Sequence, residues 1–225
     1  LGDGTLGILP DEWLKRYSLL FKVGDERSNK LRLSKYHMSV IDELYENRIE
    51  NELSFELDEK FEKLREFKHI PDINPPDHLD PVLRPYQRAG FQWLSYLSDV
   101  TWGGILADDM GLGKTIQALT MLEHYKLTTG SLKAIVICPT TLIYNWKNEV
   151  EKFTPSLSWH IHHGSVRSRN AEELQKHNII ITTYGTLRSD IQLLLKMKFD
   201  YIVLDESQAI KNPSSKVTKA ACLLE

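Results

Sequence analysis

The amino-acid sequence predicts an α/β fold, an open and mostly parallel sheet with helices on both faces. In its second half, short runs of β-branched residues alternate with amphipathic stretches of helical length. Four runs are apolar throughout, as expected of parallel strands buried on both faces, and they span residues 104–107, 134–138, 179–182 and 201–204. Because the ligands of such sheets bind at the carboxyl ends of the strands, the residues that follow these runs are the first candidates for a functional site.

The composition indicates a folded protein without a membrane-spanning segment. The chain has 225 residues, of which 41% are hydrophobic, enough for one well-packed domain and an appendage. No apolar run approaches the ~18 residues that cross a bilayer, and the first residues lack the pattern of a signal peptide. The two cysteines, Cys138 and Cys222, are too few for a disulfide framework, so we expect both to be small core residues in a reducing, cytoplasmic compartment.

Charge and proline divide the chain near residue 80. Residues 1–80 carry 12 Lys and Arg against 18 Asp and Glu, whereas residues 81–225 carry 16 against 13. The proline-dense segment 70–81 indicates a linker, since proline removes backbone donors and blocks helices. We therefore predict an acidic accessory region with a linker at 1–80, helical around residues 10–14 and 55–67, and one α/β lobe at 81–225. The basic excess of the lobe is weak support for a nucleic-acid partner.

A glycine-rich loop follows the first predicted strand. Residues 108–115 read Asp-Asp-Met-Gly-Leu-Gly-Lys-Thr, and a helical stretch follows at once. Such a loop lets successive backbone N–H groups and the helix N-terminus point at phosphate anions. We expect Lys114 to reach the β- and γ-phosphates of a nucleotide and the Thr115 hydroxyl to ligate Mg²⁺. The residues predicted to bind the nucleotide phosphates are Asp109, Met110, Gly111, Leu112, Gly113, Lys114 and Thr115.

Two carboxylates follow the fourth predicted strand. Asp205 and Glu206 come directly after the apolar run 201–204, which puts them at the carboxyl edge of the same sheet. We expect Asp205 to hold Mg²⁺ and Glu206 to orient or deprotonate the water that attacks the γ-phosphate. Together with Lys114, these acids are the predicted catalytic residues. An acidic pair after a strand is often only a solvated strand end, but the upstream phosphate loop favours the functional interpretation.

Together, these motifs resemble the Swi/Snf-type (Snf-two) family of double-stranded-DNA translocases in helicase superfamily two. The resemblance covers about residues 81–215. Besides the loop and the acidic pair, it rests on Leu-Arg-Pro-Tyr-Gln at 83–87, Cys-Pro-Thr-Thr-Leu at 138–142, Thr-Thr-Tyr at 182–184 and Ile-Lys-Asn at 210–212. It implies a RecA-like lobe that binds ATP and Mg²⁺ and forms the first of two lobes of a DNA-dependent ATPase.

Two positions depart from the usual pattern of the family. Asp109 stands where the family has glutamate, and Gln208 stands where the acidic box often has histidine. We associate glutamine at that place with bacterial members, so we expect a cytoplasmic protein of the bacterial nucleoid. Gln208 can still couple the ATP state to lobe closure by hydrogen bonding, but it lacks the titratable proton of histidine.

The resemblance also implies contacts to the base and to DNA. Gln87 would read the adenine edge, since an amide both donates and accepts hydrogen bonds. Two segments would line the track of one DNA strand and contact phosphates without reading the sequence: Pro139, Thr140 and Thr141, and then Thr182, Thr183 and Tyr184. Binding would therefore be non-specific and would weaken steeply with salt.

Simpler roles stay open for several residues. Trp146, at helical spacing from apolar neighbours, is more often a core aromatic than a DNA contact. The threonine pair 182–183 can simply end a strand. The histidines of segment 160–163 suggest a metal site, but zinc needs about four convergent ligands, and no cysteine or carboxylate sits at ligand spacing nearby.

The resemblance implies a machine larger than this chain. Motors of this superfamily hydrolyse ATP between two RecA-like lobes, and arginine fingers of the second lobe are worth about 10³ to 10⁵ in rate. The sequence ends soon after the acidic box, so we expect it to bind nucleotide and duplex DNA without efficient turnover. The strand of the third motif, which in the family lies between the phosphate-loop and acidic-box strands, has no counterpart here. We therefore expect the sheet to be incomplete at this place, or the gap to be filled by another copy or by the N-terminal part, and we expect those two strands not to pair directly. The expected partners are duplex DNA, the second lobe and DNA-bound proteins, with no membrane.

Two other functions are compatible with the motifs. Another superfamily-two helicase, or the motor of a restriction enzyme, would share the loop and the acidic pair, although the Ile-Lys-Asn at 210–212 argues against it. A stand-alone, nucleotide-gated DNA-binding module is the non-enzymatic alternative, which the missing arginines favour.

Overall fold

The computed structural model describes residues 25–27, 30–32 and 70–224. The chain divides into two compact units, Leu1–Glu66 and Phe67–Glu225. In the first unit, β1 (Asp25–Arg27) pairs antiparallel with β2 (Lys30–Arg32), so the described part of the region predicted to be helical is a pair of short strands. The helices predicted around residues 10–14 and 55–67 lie outside the described residues.

The proline-dense segment 70–81 packs on the first long helix of the second unit, α1 (Pro85–Asp99). Arg88 of this helix donates to Oδ1 of Asn74 at 2.7 Å, and Gln92 Nε2 donates to Oδ1 of Asp72 at 2.6 Å. The segment is therefore anchored to the lobe. A domain boundary near residue 80 stays a prediction.

Four parallel strands form the sheet of the lobe, as predicted for an α/β fold. Their order is β4 (Trp159–His162), β5 (Ile179–Thr183), β3 (Ala134–Cys138) and β6 (Tyr201–Leu204). All five residues of β3 are buried, and its last residue, Cys138, is level with Thr183 of β5. The strands predicted from the later three apolar runs are thereby confirmed, and their carboxyl ends meet at one edge of the sheet.

Helices cover both faces of this sheet. After α1 they are α2 (Lys114–Thr129), α3 (Ile143–Phe153), α4 (Ala171–Leu174), α5 (Tyr184–Leu194) and α6 (Lys216–Ala221), with 3₁₀ turns at Thr140–Leu142 and Ser207–Ile210. Val136 of β3 packs in the core cluster that contains residues of α1, α2 and α3, whereas its neighbour Ile135 packs with α5 and α6. This alternation is what a central strand requires, because successive side chains point to opposite faces. Among the described helices, none is both long and apolar enough to cross a bilayer.

The first predicted strand does not form. Residues 103–108 have no regular secondary structure, and the Ile105 side chain is 78% exposed. A strand needs a hydrogen-bonded neighbour, and β6, the edge strand of the described sheet beyond β3, pairs with β3 alone. The prediction of a strand at 104–107 is therefore wrong, because the run has no strand partner among the described residues. Since no strand forms there, the expected gap between the phosphate-loop and acidic-box strands stays a prediction.

Two further features differ from the expectations. Cys138 is buried in β3, as expected, but Cys222 is exposed, because it follows the last turn of α6. The apolar-run pattern does not predict β4, whose Trp-His-Ile-His sequence mixes polar and apolar residues. Its His162 is nevertheless fully buried, with Nε2 hydrogen-bonded to Oδ2 of Asp190 at 2.9 Å.

Candidate functional site

Two glycines shape the loop that precedes α2. Gly111 (φ 84°) and Gly113 (φ 77°) adopt the left-handed backbone conformation that other residues rarely take. Gly113 is the residue before the first turn of α2, and a Cβ atom there would lie 2.5 Å from Nε2 of Gln87. The turn opens directly into a helix N-terminus, whose first N–H groups have no partner within the helix and attract phosphate.

Lys114, the first residue of α2, folds back over this loop. Its Nζ donates to the backbone oxygens of Asp108 at 2.7 Å and Asp109 at 3.1 Å. None of the salt bridges within residues 70–224 involves it. Its charge is therefore balanced only by carbonyl dipoles, an arrangement that leaves the ammonium ready for an anion. The side chain of Thr115 follows, partly buried at the start of the helix.

The loop is braced from α1. Tyr86 Oη and Gln87 Nε2 both donate to the backbone oxygen of Leu112, at 3.1 and 2.9 Å. The Oε1 atom of Gln87 accepts the backbone N–H of Arg84 at 3.0 Å. Both polar atoms of the Gln87 amide are thus used within the protein in this structure, and its role in reading adenine stays a prediction. The Met110 side chain is 89% exposed, so it has no packing role in the loop.

Asp205 is held by three hydrogen bonds at the end of β6. Its backbone N–H donates to the oxygen of Ile137 at 2.9 Å. Its Oδ1 accepts the backbone N–H of Glu206 at 2.9 Å, and its Oδ2 accepts the indole N–H of Trp146 at 2.8 Å. Since an ionised carboxylate has about four acceptor positions, each oxygen keeps one for a further ligand.

Tyr184 contacts the same aspartate from another side. Its hydroxyl donates to the backbone oxygen of Asp205 at 2.7 Å. Burial and the nearby Asp205 carboxylate raise the pKa of Tyr184 to about 12, so the phenol stays protonated and remains a donor at neutral pH. The same two causes raise the pKa of the Cys138 thiol to about 12.

Glu206 occupies a strained turn. Its φ of 50° is left-handed, which is uncommon for a residue other than glycine and is found preferentially at functional sites. Its Oε2 accepts Nε2 of Gln208 at 2.5 Å. Gln208, the predicted coupling residue, is therefore hydrogen-bonded directly to Glu206, the predicted catalytic acid.

The lengths of α2 and β6 fit a loop and an acidic pair at the same edge of the sheet. β3 begins four residues after Gly130 ends α2, so α2 ends at the amino edge of the strands. There the ring of Tyr125 packs edge-to-face on Tyr201, with centroids 4.9 Å apart. From Tyr125 back to Lys114 the helix rises about 16 Å, and from Tyr201 to Asp205 the strand advances about 13 Å. These lengths are sufficient for both ends to reach the carboxyl edge.

The residues at this edge fit Mg²⁺ only together with a nucleotide. Within the described parts of the chain, no group of three or more His, Cys, Asp or Glu side chains forms a metal site by itself. Mg²⁺ is usually bound by one or two carboxylates, with phosphate oxygens and water completing the octahedron. The free acceptor positions of Asp205 and the Thr115 hydroxyl suit that arrangement.

The first predicted DNA segment follows β3, and the second consists of the last two residues of the neighbouring strand β5 and the first residue of α5. Thr140 and Thr141 are exposed in the 3₁₀ turn after Pro139. The Thr182 hydroxyl is buried and donates to the backbone oxygen of His162 at 2.8 Å, and the Thr183 hydroxyl caps α5 by accepting the N–H of Thr186. In this structure the hydroxyls of the first segment are available to a phosphate, whereas those of the second are used within the fold. A DNA contact at either segment stays a prediction.

Sequence reasoning missed two residues beside Asp205. Trp146 is 3% exposed and belongs to the core, as its helical spacing suggests, but its indole also reaches the acid site. Glu149, one turn later on α3, accepts Nδ2 of Asn145 at 3.1 Å, and burial raises its pKa, with a smaller contribution from Asp205. A local sequence pattern could not have predicted that Trp146 contacts Asp205, because the two residues are 59 positions apart.

Comparisons with known proteins agree with these motifs. A family model described as the SNF2-related domain matches residues 86–225. A Mycoplasma genitalium protein named as an uncharacterized ATP-dependent helicase, MG018, is 37% identical over 204 residues, which is 87% of this chain and 19% of that protein. The putative ATP-dependent helicase/translocase YwqA of Bacillus subtilis is 35% identical over 177 residues, 76% of this chain and 19% of that protein. This chain therefore spans about a fifth of the length of these curated relatives.

Solved structures give the same result. The Sulfolobus solfataricus SWI2/SNF2 ATPase core in complex with dsDNA is 38% identical, with a TM-score of 0.61 over 71% of this chain and 32% of that one. The ATPase core domain from the same organism is 36% identical, with a TM-score of 0.57 over 69% of this chain and 31% of that one.

Proposed function

This chain belongs to the SNF2-related family, and from that premise we propose that it is the ATP-binding lobe of a motor that moves along double-stranded DNA. The observation that carries the proposal is a glycine loop that opens into α2 at Lys114, together with an acidic pair that directly follows β6 of a parallel sheet. Relatives named as ATP-dependent helicases, and a similar core solved with duplex DNA, support it.

The nucleotide phosphates would bind at the start of α2. Backbone N–H groups of the glycine loop and the Lys114 ammonium would neutralise them, and Thr115 and Asp205 would hold Mg²⁺. The ion, when bound, supplies charge neutralisation at the transferring phosphate. Glu206 would hold the attacking water, with Gln208 fixing its carboxylate. A second lobe of the parent protein would supply the arginines that fast turnover requires.

Duplex DNA would lie along the 3₁₀ turn after β3 and the start of α5. The exposed Thr140 and Thr141 hydroxyls would contact phosphates, and backbone N–H groups would do so where β5 ends. Such contacts position a duplex but read no sequence. DNA-bound proteins would then be displaced by movement along the strand.

Nucleotide binding is tested by titrating the chain with a fluorescent ATP analogue in the presence and absence of Mg²⁺. We expect a saturable signal that Lys114→Ala weakens about tenfold or more, because charge-assisted hydrogen bonds contribute about 1.5–3 kcal/mol each. Lys198→Ala removes an exposed lysine remote from the loop and is the matched control. No saturable binding, or equal affinities for the two variants, would reject the proposed nucleotide site.

DNA binding is tested by fluorescence anisotropy with two duplexes of unrelated sequence. We expect equal affinities that fall steeply with salt, since counterion release dominates phosphate contacts. A Thr140→Ala/Thr141→Ala double variant should bind both duplexes more weakly. A strong preference for one duplex, or affinity that does not change with salt, would argue against this interface.

A further inference from the structure

Two side chains converge on Asp205 from different elements of the lobe. The Trp146 indole donates to its carboxylate at 2.8 Å, and the Tyr184 hydroxyl donates to its backbone oxygen at 2.7 Å. Trp146 is 3% exposed and Tyr184 is 9% exposed. Both donors are therefore fixed by packing and have little freedom to point elsewhere.

Each donor is continuous with one of the two predicted DNA segments. α3, which carries Trp146, follows directly from the 3₁₀ turn that holds Thr140 and Thr141. Tyr184 is the first residue of α5, and the preceding Thr183 caps that helix. A shift of either helix terminus, such as a bound phosphate would cause, therefore moves a hydrogen-bond donor of Asp205.

The aspartate depends on these donors. No salt bridge within residues 70–224 neutralises the carboxylate of Asp205. With Oδ2 bound to the indole and Oδ1 to the Glu206 N–H, the orientation of the carboxylate is set before any cation arrives. Partners of this kind orient a metal ligand, and removing one typically lowers metal affinity or activity about 10- to 100-fold.

We propose that Trp146 and Tyr184 are positioning residues that link the two DNA-facing turns to the metal-binding carboxylate of Asp205. The inference rests on the proposed function, since it needs both a Mg²⁺–nucleotide complex and a bound duplex. Through these two bonds, DNA on the turns strengthens Mg²⁺–nucleotide binding. By thermodynamic reciprocity, Mg²⁺–nucleotide strengthens DNA binding by the same factor.

The test uses two variants that remove the donors. Trp146→Phe removes the indole N–H and keeps an aromatic ring, and Tyr184→Phe removes only the hydroxyl. The matched controls are Trp159→Phe, on partly buried β4, and Tyr125→Phe, whose hydroxyl faces Asp200 at the opposite edge of the sheet. The affinity of a fluorescent ATP analogue is measured against Mg²⁺ concentration, with and without duplex DNA, at a temperature where thermal melts show each variant folded.

We expect the Mg²⁺ concentration that gives half of the maximal increase in nucleotide affinity to rise about tenfold in Trp146→Phe and by a smaller factor in Tyr184→Phe. Nucleotide affinity without Mg²⁺ should stay unchanged in both, which a general loss of structure would not allow. DNA should tighten Mg²⁺–nucleotide binding in the wild type, and this factor should fall towards one in both variants. The two control variants should behave as the wild type.

A second readout needs no nucleotide. Among the indole N–H resonances of the five tryptophans, the one that disappears in Trp146→Phe belongs to Trp146. We expect duplex DNA alone to shift it in the wild type, and Asp205→Ala to shift it without DNA. If Trp146→Phe does not fold, the indole resonance that shifts in Asp205→Ala identifies Trp146, and its response to DNA is then followed in the wild type. The affinity test is in that case made with Tyr184→Phe.

The outcomes separate this inference from the proposed function. If the wild type shows no saturable Mg²⁺–nucleotide or DNA binding, the proposed function fails, and the inference fails with it. If the wild type binds both ligands but the Trp146→Phe and Tyr184→Phe values equal those of the controls, the inference alone is overturned. The same holds if DNA leaves both the wild-type nucleotide affinity and the Trp146 resonance unchanged.

Discussion

Substituting Gly113 by alanine tests the architecture of the phosphate loop. At φ 77° an alanine is in the left-handed region, which costs about 1–2 kcal/mol of folding free energy. About 0.4–1 kcal/mol of this is offset, because alanine also restricts the unfolded chain. The new Cβ would lie 2.5 Å from Nε2 of Gln87, so the hydrogen bond from Gln87 to Leu112 is lost, at about 0.5–1.5 kcal/mol. We expect Gly113→Ala to lower the free energy of unfolding by about 2 kcal/mol.

The same helix offers a matched control. Gly130 ends α2 at φ 81°, and no atom lies within 4 Å of a Cβ placed there, so Gly130→Ala carries the backbone penalty without the clash. Urea unfolding should show Gly113→Ala to be the more destabilising change by about 1 kcal/mol. In a Gln87→Ala background the difference between the two substitutions should shrink, because the clash with Nε2 is gone and only the contact with Cγ2 of Ile116 at 3.2 Å remains. Equal costs in the wild-type background would show that the Gln87 clash does not destabilise the loop.

Three further predictions concern titration, thiol reactivity and turnover. Burial lowers the pKa of His162 below its ordinary 6.5, so the unfolded chain binds this proton more readily than the folded protein. The free energy of unfolding should therefore fall as the pH drops below about 6.5. In urea unfolding at several pH values, His162→Gln should show a weaker dependence. Cys222 should react with a thiol reagent in the native protein, whereas the buried Cys138, whose pKa is raised to about 12, should react only on unfolding. We expect one fast-reacting thiol per chain without denaturant, and two would contradict the prediction. ATP hydrolysis by these 225 residues should be slow even with saturating DNA, as measured by phosphate release, and brisk DNA-stimulated turnover would show that no second lobe is needed.

The structure explains why the later strands were predictable and the first was not. The runs at 134–138 and 201–204 form β3 and β6, because their apolar side chains are buried between helices in β3 and partly buried in β6. Residues 104–107 have the same local character, but no strand within the described parts of the chain pairs with them, so they join no ladder there. The local sequence pattern indicates a preference for an extended backbone, whereas a strand also requires a neighbouring strand to pair with.

The chemistry of the candidate site could be predicted from local sequence patterns. A glycine loop before Lys114 and an acidic pair at 205–206 are local signals, since the conformational freedom of glycine and the end of an apolar run are read within a few residues. The hydrogen bonds from Trp146 and Tyr184 to Asp205, and the bond from Gln87 to the loop, are visible only in the folded chain. These bonds join residues 21 to 59 positions apart, and the folding of helices onto a parallel sheet alone brings such distant groups within hydrogen-bonding distance.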